Sequence, residues 1–293
     1  MIYDKINEFC KVRNLGNCFS NGSEPTPRVK FLIGLIESEG IEYEIDVFED
    51  DPIPVRDFDL GRFRRERMGR NPKTNRYYDD MFEDVEQIVE PAKNLYYNII
   101  MKGTSDKMII AHHDVNNHTI DNANDNSASC INVIAAKKLR PDVHAVIVDG
   151  EEFGGKGSRR LAAKIKSGDF GSISWVLNLE LSGKGGKYFF IGNNPGPLYD
   201  RVRKMFDCPV ASVPFNDSVN MRSAGIDSIV INPAPPMPKG KKSDLKFPML
   251  GGEGVYLDFS IVFNCHRPTD TLASISSSDM KEFVEGVVLK IID

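Results

Sequence analysis

The sequence predicts an α/β fold: a three-layer sandwich in which a mostly parallel, mixed β-sheet carries helices on both faces. Three observations point there. Short, β-branched apolar runs such as "KMIIA" and "HAVIV" alternate along the chain with segments of helical periodicity. Those runs lack the apolar/polar alternation of a half-solvated strand, as befits strands covered on both sides. The chain has 293 residues, 41% of them hydrophobic, which is enough for one large α/β domain or two small ones.

The elements follow in order. After a short opening helix, "PRVKFLIGLIESEG" places apolar residues at helical spacing and closes on Gly40. "IEYEIDVFE" alternates like a strand. "NLYYNIIMKG" and "KMIIAHHD" read as strands joined by the turn "GTSD", and "SASCINVIAAKKLR" is a helix that stops before Pro141. The alternation continues with strand "HAVIVDG", helix "SRRLAAKIKSG", and strands "SISWVLNLEL" and "KYFFIG". Helices "PLYDRVRKMF" and "SVNMRSAG", strand "DSIVINP" and the final helix "SSDMKEFVEGVVLKII" complete it. No internal repeat or low-complexity tract interrupts the pattern.

Two stretches depart from it. Within residues 52–92, "DFDLGRFRRERMGRNPKTNRYYDD" is rich in arginine and aromatics but lies between acidic flanks, which favours a solvated insertion or lid over a nucleic-acid stripe. Residues 233–254, "PAPPMPKGKKSDLKFPMLGGEG", have the composition of a long loop that could shape access to a site.

Composition narrows the function. A net charge of -5 supplies no general attraction to nucleic acid or anionic membranes. No apolar run approaches the roughly 20 residues that span a bilayer, and "MIYDKINEFC" lacks the order of a signal peptide, so a cytoplasmic protein is expected. Cys10, Cys18, Cys130, Cys208 and Cys265 are scattered, odd in number and never in a CxxC pair. Neither a disulfide framework nor a thiolate site is indicated, so any metal is expected to use histidine and carboxylates.

The informative stretch is "HAVIVDGEEFGGKGS". Glu151 and Glu152 stand side by side where a buried strand ends, and adjacent carboxylates need either solvation or a cation. Either they open an exposed turn before a helix, or one holds metal while the other moves protons. Potential ligands also follow two other strands: His112 after "KMIIA" and Glu180 after "WVLNL". Asp125 in "DNANDNSAS" precedes a helix, and His266 lies in "FNCHRPTDTL". In an open parallel sheet such groups meet beyond the carboxyl ends of the strands. Asp114 shares the side of His112 in an extended chain and can fix that imidazole's tautomer, whereas His113 points the other way.

In this order, "AHHD", "NDNSAS", "DGEEFGGKGS", "NLELSG" and "CHRPTDT" resemble the co-catalytic di-zinc aminopeptidase family, which includes bacterial leucyl aminopeptidases, glutamate carboxypeptidases and glutaminyl cyclases. The likeness covers roughly residues 95–290 and implies one catalytic domain over 1–293. It implies two zinc ions per chain, with manganese or cobalt as substitutes. Asp125 would bridge them; His112, Glu152, Glu180 and His266 would complete the ligands; Glu151 would be the general base. Asp114 would support His112, Asp270 would orient the surroundings of His266, and a cis peptide would follow Asp125. A peptide is the implied substrate.

The resemblance has a departure. Glu180 stands where the aminopeptidases usually carry aspartate, and glutamate there accompanies carboxypeptidases and N-acyl amino acid deacylases. Those relatives insert a lid domain before the last histidine, for which the roughly 85 residues between Glu180 and His266 leave too little chain. Aminopeptidase activity is the expectation; deacylase, carboxypeptidase, glutaminyl cyclase and a non-catalytic peptide binder are the alternatives. Arg222 and Arg267 are candidates for gripping a substrate carboxylate. His118 reads as a solvated loop residue and His144 as structural, and "GGKGS" lacks the spacing of a P-loop.

Overall fold

The computed structural model describes residues 2–12, 25–49, 95–115, 121–213, 215–237, 257–258 and 265–293. The arginine-rich stretch within 52–92, His118 and most of the 233–254 loop lie outside these residues. Eight strands form one mixed sheet: β1 (Glu44–Glu49), β2 (Leu95–Met101), β3 (Lys107–His112), β4 (His144–Val148), β5 (Trp175–Leu179), β6 (Phe189–Gly192), β7 (Val210–Ala211) and β8 (Ser228–Pro233), in the order β1-β2-β4-β3-β5-β8-β6-β7. The central strands β4, β3, β5 and β8 run parallel, whereas β2 joins β4, and β6 joins β8, antiparallel. The strands flanking "GTSD" are therefore not paired with each other, because β4 inserts between them.

The helices are α1 (Ile6–Phe9), α2 (Pro27–Ser38), α3 (Ala128–Leu139), α4 (Lys156–Ser167), α5 (Pro197–Met205), α6 (Asp217–Ser223), α7 (Ser277–Phe283) and α8 (Leu289–Ile292). A wider, π-type turn at Val284–Val288 joins α7 to α8, so the expected C-terminal helix runs on through a local bulge. The two-residue β7 escaped the sequence reading.

Strand alternation sorts the core into two layers. Ile109, Ala111, Ala145 and Ile147 face one side, with α3 residues Ile131 and Ile134 and the C-terminal Phe283 and Ile291. Met108, Ile110, Val146 and Val148 face the other, with Leu161 and Ile165 of α4 and Met221 of α6. Burial of apolar surface on both sides fixes register, since a one-residue slip would exchange the two sets. Helix α2 begins with Thr26, whose hydroxyl accepts the Val29 N–H at 3.3 Å. Its Arg28 is buried: Nε donates to the His113 carbonyl at 3.0 Å, Nη2 donates to Ser127 Oγ at 2.8 Å, and the guanidinium lies 4.1 Å from the Phe9 ring centre.

Among the described residues, no helix is long and apolar enough to cross a membrane.

Candidate metal centre

Parallel register brings the strand ends level. His112 pairs with Val148, the last residue of β4, and Ile110 pairs with Asn178, so Glu180 follows β5 at the height of His112. Asp125 reaches the same edge from the turn leading into α3, and His266 from the loop before α7. The Asp125–Asn126 peptide is cis. The described residues other than glycine with left-handed φ are Asn122 (46°), Leu181 (50°) and His266 (60°), and each lies in a segment that carries a donor to this edge.

Two donor groups share Asp125. Its Oδ1 lies 3.3 Å from His112 Nε2, which is also 3.4 Å from Glu180 Oε2. Its Oδ2 lies 3.3 Å from His266 Nε2, which is also 2.8 Å from Glu152 Oε2. The His112 ring turns Nδ1 toward Asp114 at 3.3 Å, as the spacing predicts, while His113 points away and places Nε2 2.9 Å from the Tyr97 carbonyl. All five proposed ligands are thus brought together. One participant was missed: Cys265 donates its thiol to Asp125 Oδ2 at 2.8 Å, and Asp125, Cys265 and His266 converge as closely as His112, Asp125 and Glu180 do. A thiol therefore lies beside the histidine and carboxylate donors that the sequence singled out. The adjacency of Cys265 to His266 was the signal; the turn that makes both side chains converge is tertiary.

Supporting contacts aim the donors. Asp114 accepts the N–H groups of Glu151 at 3.1 Å and Glu152 at 2.9 Å, so one buried carboxylate sets the turn that carries both glutamates. Asp270 accepts the N–H of Asn124 at 2.8 Å and of Asp125 at 3.0 Å, so it orients the Asp125 segment rather than, as expected, the surroundings of His266. Asn126 and Asn178, which the sequence did not single out, donate to the two oxygens of Glu180 at 2.8 and 3.1 Å.

The "GGKGS" stretch closes the turn behind the glutamates. The N–H groups of Gly154 and Gly155 reach the Glu151 carbonyl, and Gly157 N–H reaches the Asp149 carbonyl at 2.7 Å. A Cβ on Gly157 would meet Asn98 Oδ1 and the Asp149 carbonyl at 2.4 Å, so only glycine fits there. Arg222 reaches the Pro195 carbonyl at 3.4 Å, Arg267 is exposed, and His144 accepts the Gly103 N–H, so none of the three is placed among the donors.

Electrostatics fit a cation. Burial, together with the neighbouring carboxylates, raises Glu151 well above the usual range, and burial also raises Glu152 and Glu180. Burial disfavours charged His112, yet Glu180, Asp114 and Asp125 outweigh it and hold its pKa well above normal. A dication among these groups reverses the cost of their negative charge. Zinc bonds of about 2.0–2.2 Å in a tetrahedron place neighbouring donors about 3.3–3.6 Å apart, close to three of the four spacings in the two donor groups. Glu152 Oε1 is buried without a hydrogen-bond partner among the described residues. The residues therefore fit a metal.

The fold and the paired donor groups define a metallohydrolase-type α/β protein. Residues 98–289 match the model of peptidase family M28, and the chain belongs to that family. No curated protein matches the sequence. Solved structures share the fold. A glutaminyl cyclase from an Acidobacteriales bacterium has 16% identity and a TM-score of 0.63 over 99% of this chain and 92% of its own. An aminopeptidase from Aneurinibacillus sp. strain AM-1 has 13% identity and a TM-score of 0.63, again over 99% and 92%. A leucine aminopeptidase precursor from Bacteroides thetaiotaomicron has 15% identity and a TM-score of 0.60 over 99% and 95%.

Proposed function

We propose that the chain, as one catalytic domain, is a two-zinc aminopeptidase that removes N-terminal residues from peptides. The observation that carries this reading is Asp125, which lends one oxygen to each of two donor groups beside the Glu151 turn. His112 and Glu180 would hold one ion, Glu152 and His266 the other, and Asp125 both. When bound, the ions supply a more acidic water and polarisation of the scissile carbonyl. Glu151 takes a proton from the attacking water and delivers it to the leaving amine. Asp114 holds the Glu151 backbone still, and its carboxylate near His112 Nδ1 leaves Nε2 free to face the ion.

A soluble peptide is the proposed substrate. The cytoplasm is the proposed setting, supported by Cys10, Cys130, Cys208 and Cys265 all being free thiols. Glu180 supports a second reading, hydrolysis of N-acyl amino acids. The test is zinc content of the purified protein followed by turnover of aminoacyl-anilides, N-acetyl amino acids and N-terminal glutaminyl peptides. Two zinc ions with anilide cleavage is the expected result. Cleavage of acetylated compounds alone would move the assignment to a deacylase, and cyclisation with a single zinc to a glutaminyl cyclase.

A further inference from the structure

We propose that Cys265 is itself a metal ligand, so that the position formed by Asp125 Oδ2, Glu152 and His266 holds its ion through a sulfur as well as nitrogen and oxygen. This rests on the metallohydrolase reading and goes beyond the ligand set stated above.

Consecutive side chains in an extended segment point to opposite sides. Cys265 and His266 do not: Sγ is 2.8 Å and Nε2 3.3 Å from the same oxygen of Asp125. The left-handed φ of 60° at His266 accompanies this convergence. An independent feature adjoins His266. Glu152, whose side chain is 3% exposed, contacts His266 Nε2 through Oε2, while its buried Oε1 has no hydrogen-bond partner among the described residues. A thiol, an imidazole and the Asp125 carboxylate thus lie close enough to hold one ion, with Glu152 against the imidazole, and zinc accepts mixed donors of this kind. Coordination replaces the thiol proton, which leaves to solvent. The other position, built from His112, Asp125 and Glu180, has no sulfur. The two ions would therefore be held unequally: a thiolate favours zinc or cadmium over manganese, and the all-nitrogen-and-oxygen position discriminates less.

Cobalt(II) reports the difference by spectrum rather than by turnover. The full chain, loaded with cobalt, should show a near-ultraviolet sulfur-to-cobalt charge-transfer band. Cys265→Ser should abolish the band with cobalt content and ligand-field bands retained, and Cys130→Ser should keep it. In parallel, the preference for cadmium over manganese, measured by competition with a chelator, should fall at least about tenfold in Cys265→Ser. Stoichiometric cobalt with ligand-field bands alone, or a band that survives Cys265→Ser, overturns the assignment and leaves the hydrolase reading standing. Failure of the wild-type chain to bind cobalt, zinc or cadmium overturns both.

Discussion

Asn126 grips Glu180. Its side-chain amide donates to Glu180 Oε2 at 2.8 Å and to the Leu179 carbonyl at 3.1 Å, while its oxygen accepts the Leu181 N–H at 3.2 Å. One side chain therefore fixes the backbone on both sides of a proposed ligand and the carboxylate itself. Contacts of this kind are worth about 10–100-fold in metal affinity. Asn126→Ala should weaken zinc binding by that factor in competition with a chromophoric chelator, and an unchanged affinity would dismiss the clamp.

Glu151→Gln keeps the shape of the side chain and removes its capacity to accept a proton. Turnover should fall on the order of 10²–10⁴-fold while zinc content stays at the wild-type level. Activity retained in this variant would sink the base assignment.

Asp125→Ala removes a donor from both groups at once, so the purified variant should lose zinc from both positions, read by elemental analysis. A variant that still carried a full zinc complement would show that the two groups do not share this residue's carboxylate as a ligand.

Asp217, at the start of α6, is buried beside Ser158, whose hydroxyl also reaches the Gly155 carbonyl at 3.1 Å. Burial first, with Glu180 and Asp114 adding to it, raises its pKa from 3.8 to about 7. Between those values the folded chain holds a proton that the unfolded chain has lost. The associated stability is complete below the lower value and disappears as the pH rises through the higher one. In the metal-free chain Asp217→Asn should flatten this dependence, so its urea midpoint should drop less than the metal-free wild type's between about pH 5 and about pH 8. Parallel drops would exclude Asp217 as the source.

Arg28→Met should lower stability by about 2–4 kcal/mol, because the His113 carbonyl and Ser127 hydroxyl lose a charged donor inside the protein. Urea unfolding measures the loss. His113 adjoins His112 and Ser127 lies two residues from Asp125, so zinc affinity should also decline; stability lost with affinity intact would confine Arg28 to the scaffold.

The sheet and most donors were legible because they depend on local pattern. "KMIIA", "HAVIV" and "WVLNL" announce buried strands, and His112, Glu151, Glu152 and Glu180 stand at or just beyond their ends, where parallel strands gather their working groups. Strand order was not legible: that β4 separates β2 from β3 is decided by pairing across the sheet, to which the short "GTSD" connection gives no clue. Cys265 was hidden for a related reason. Spacing excluded a CxxC site, but the backbone turn at His266 places the thiol against an aspartate 140 positions away. Asn126 and Asn178 are ordinary amides until Glu180 lies beside them.

The bonds from Asp270 to Asn124 and Asp125 span 146 and 145 positions of the chain. Contacts so remote in sequence incur the loop-closure entropy of the intervening chain before they add stability, so they form late in folding. During synthesis the strand-end acids emerge first, and the Asp125 turn waits for the segment bearing His266 and Asp270 before it can close. A nascent chain paused upstream of that segment would hold the carboxylates without His266 and without the Asp270 clasp on the Asp125 backbone, leaving a half-made chelator.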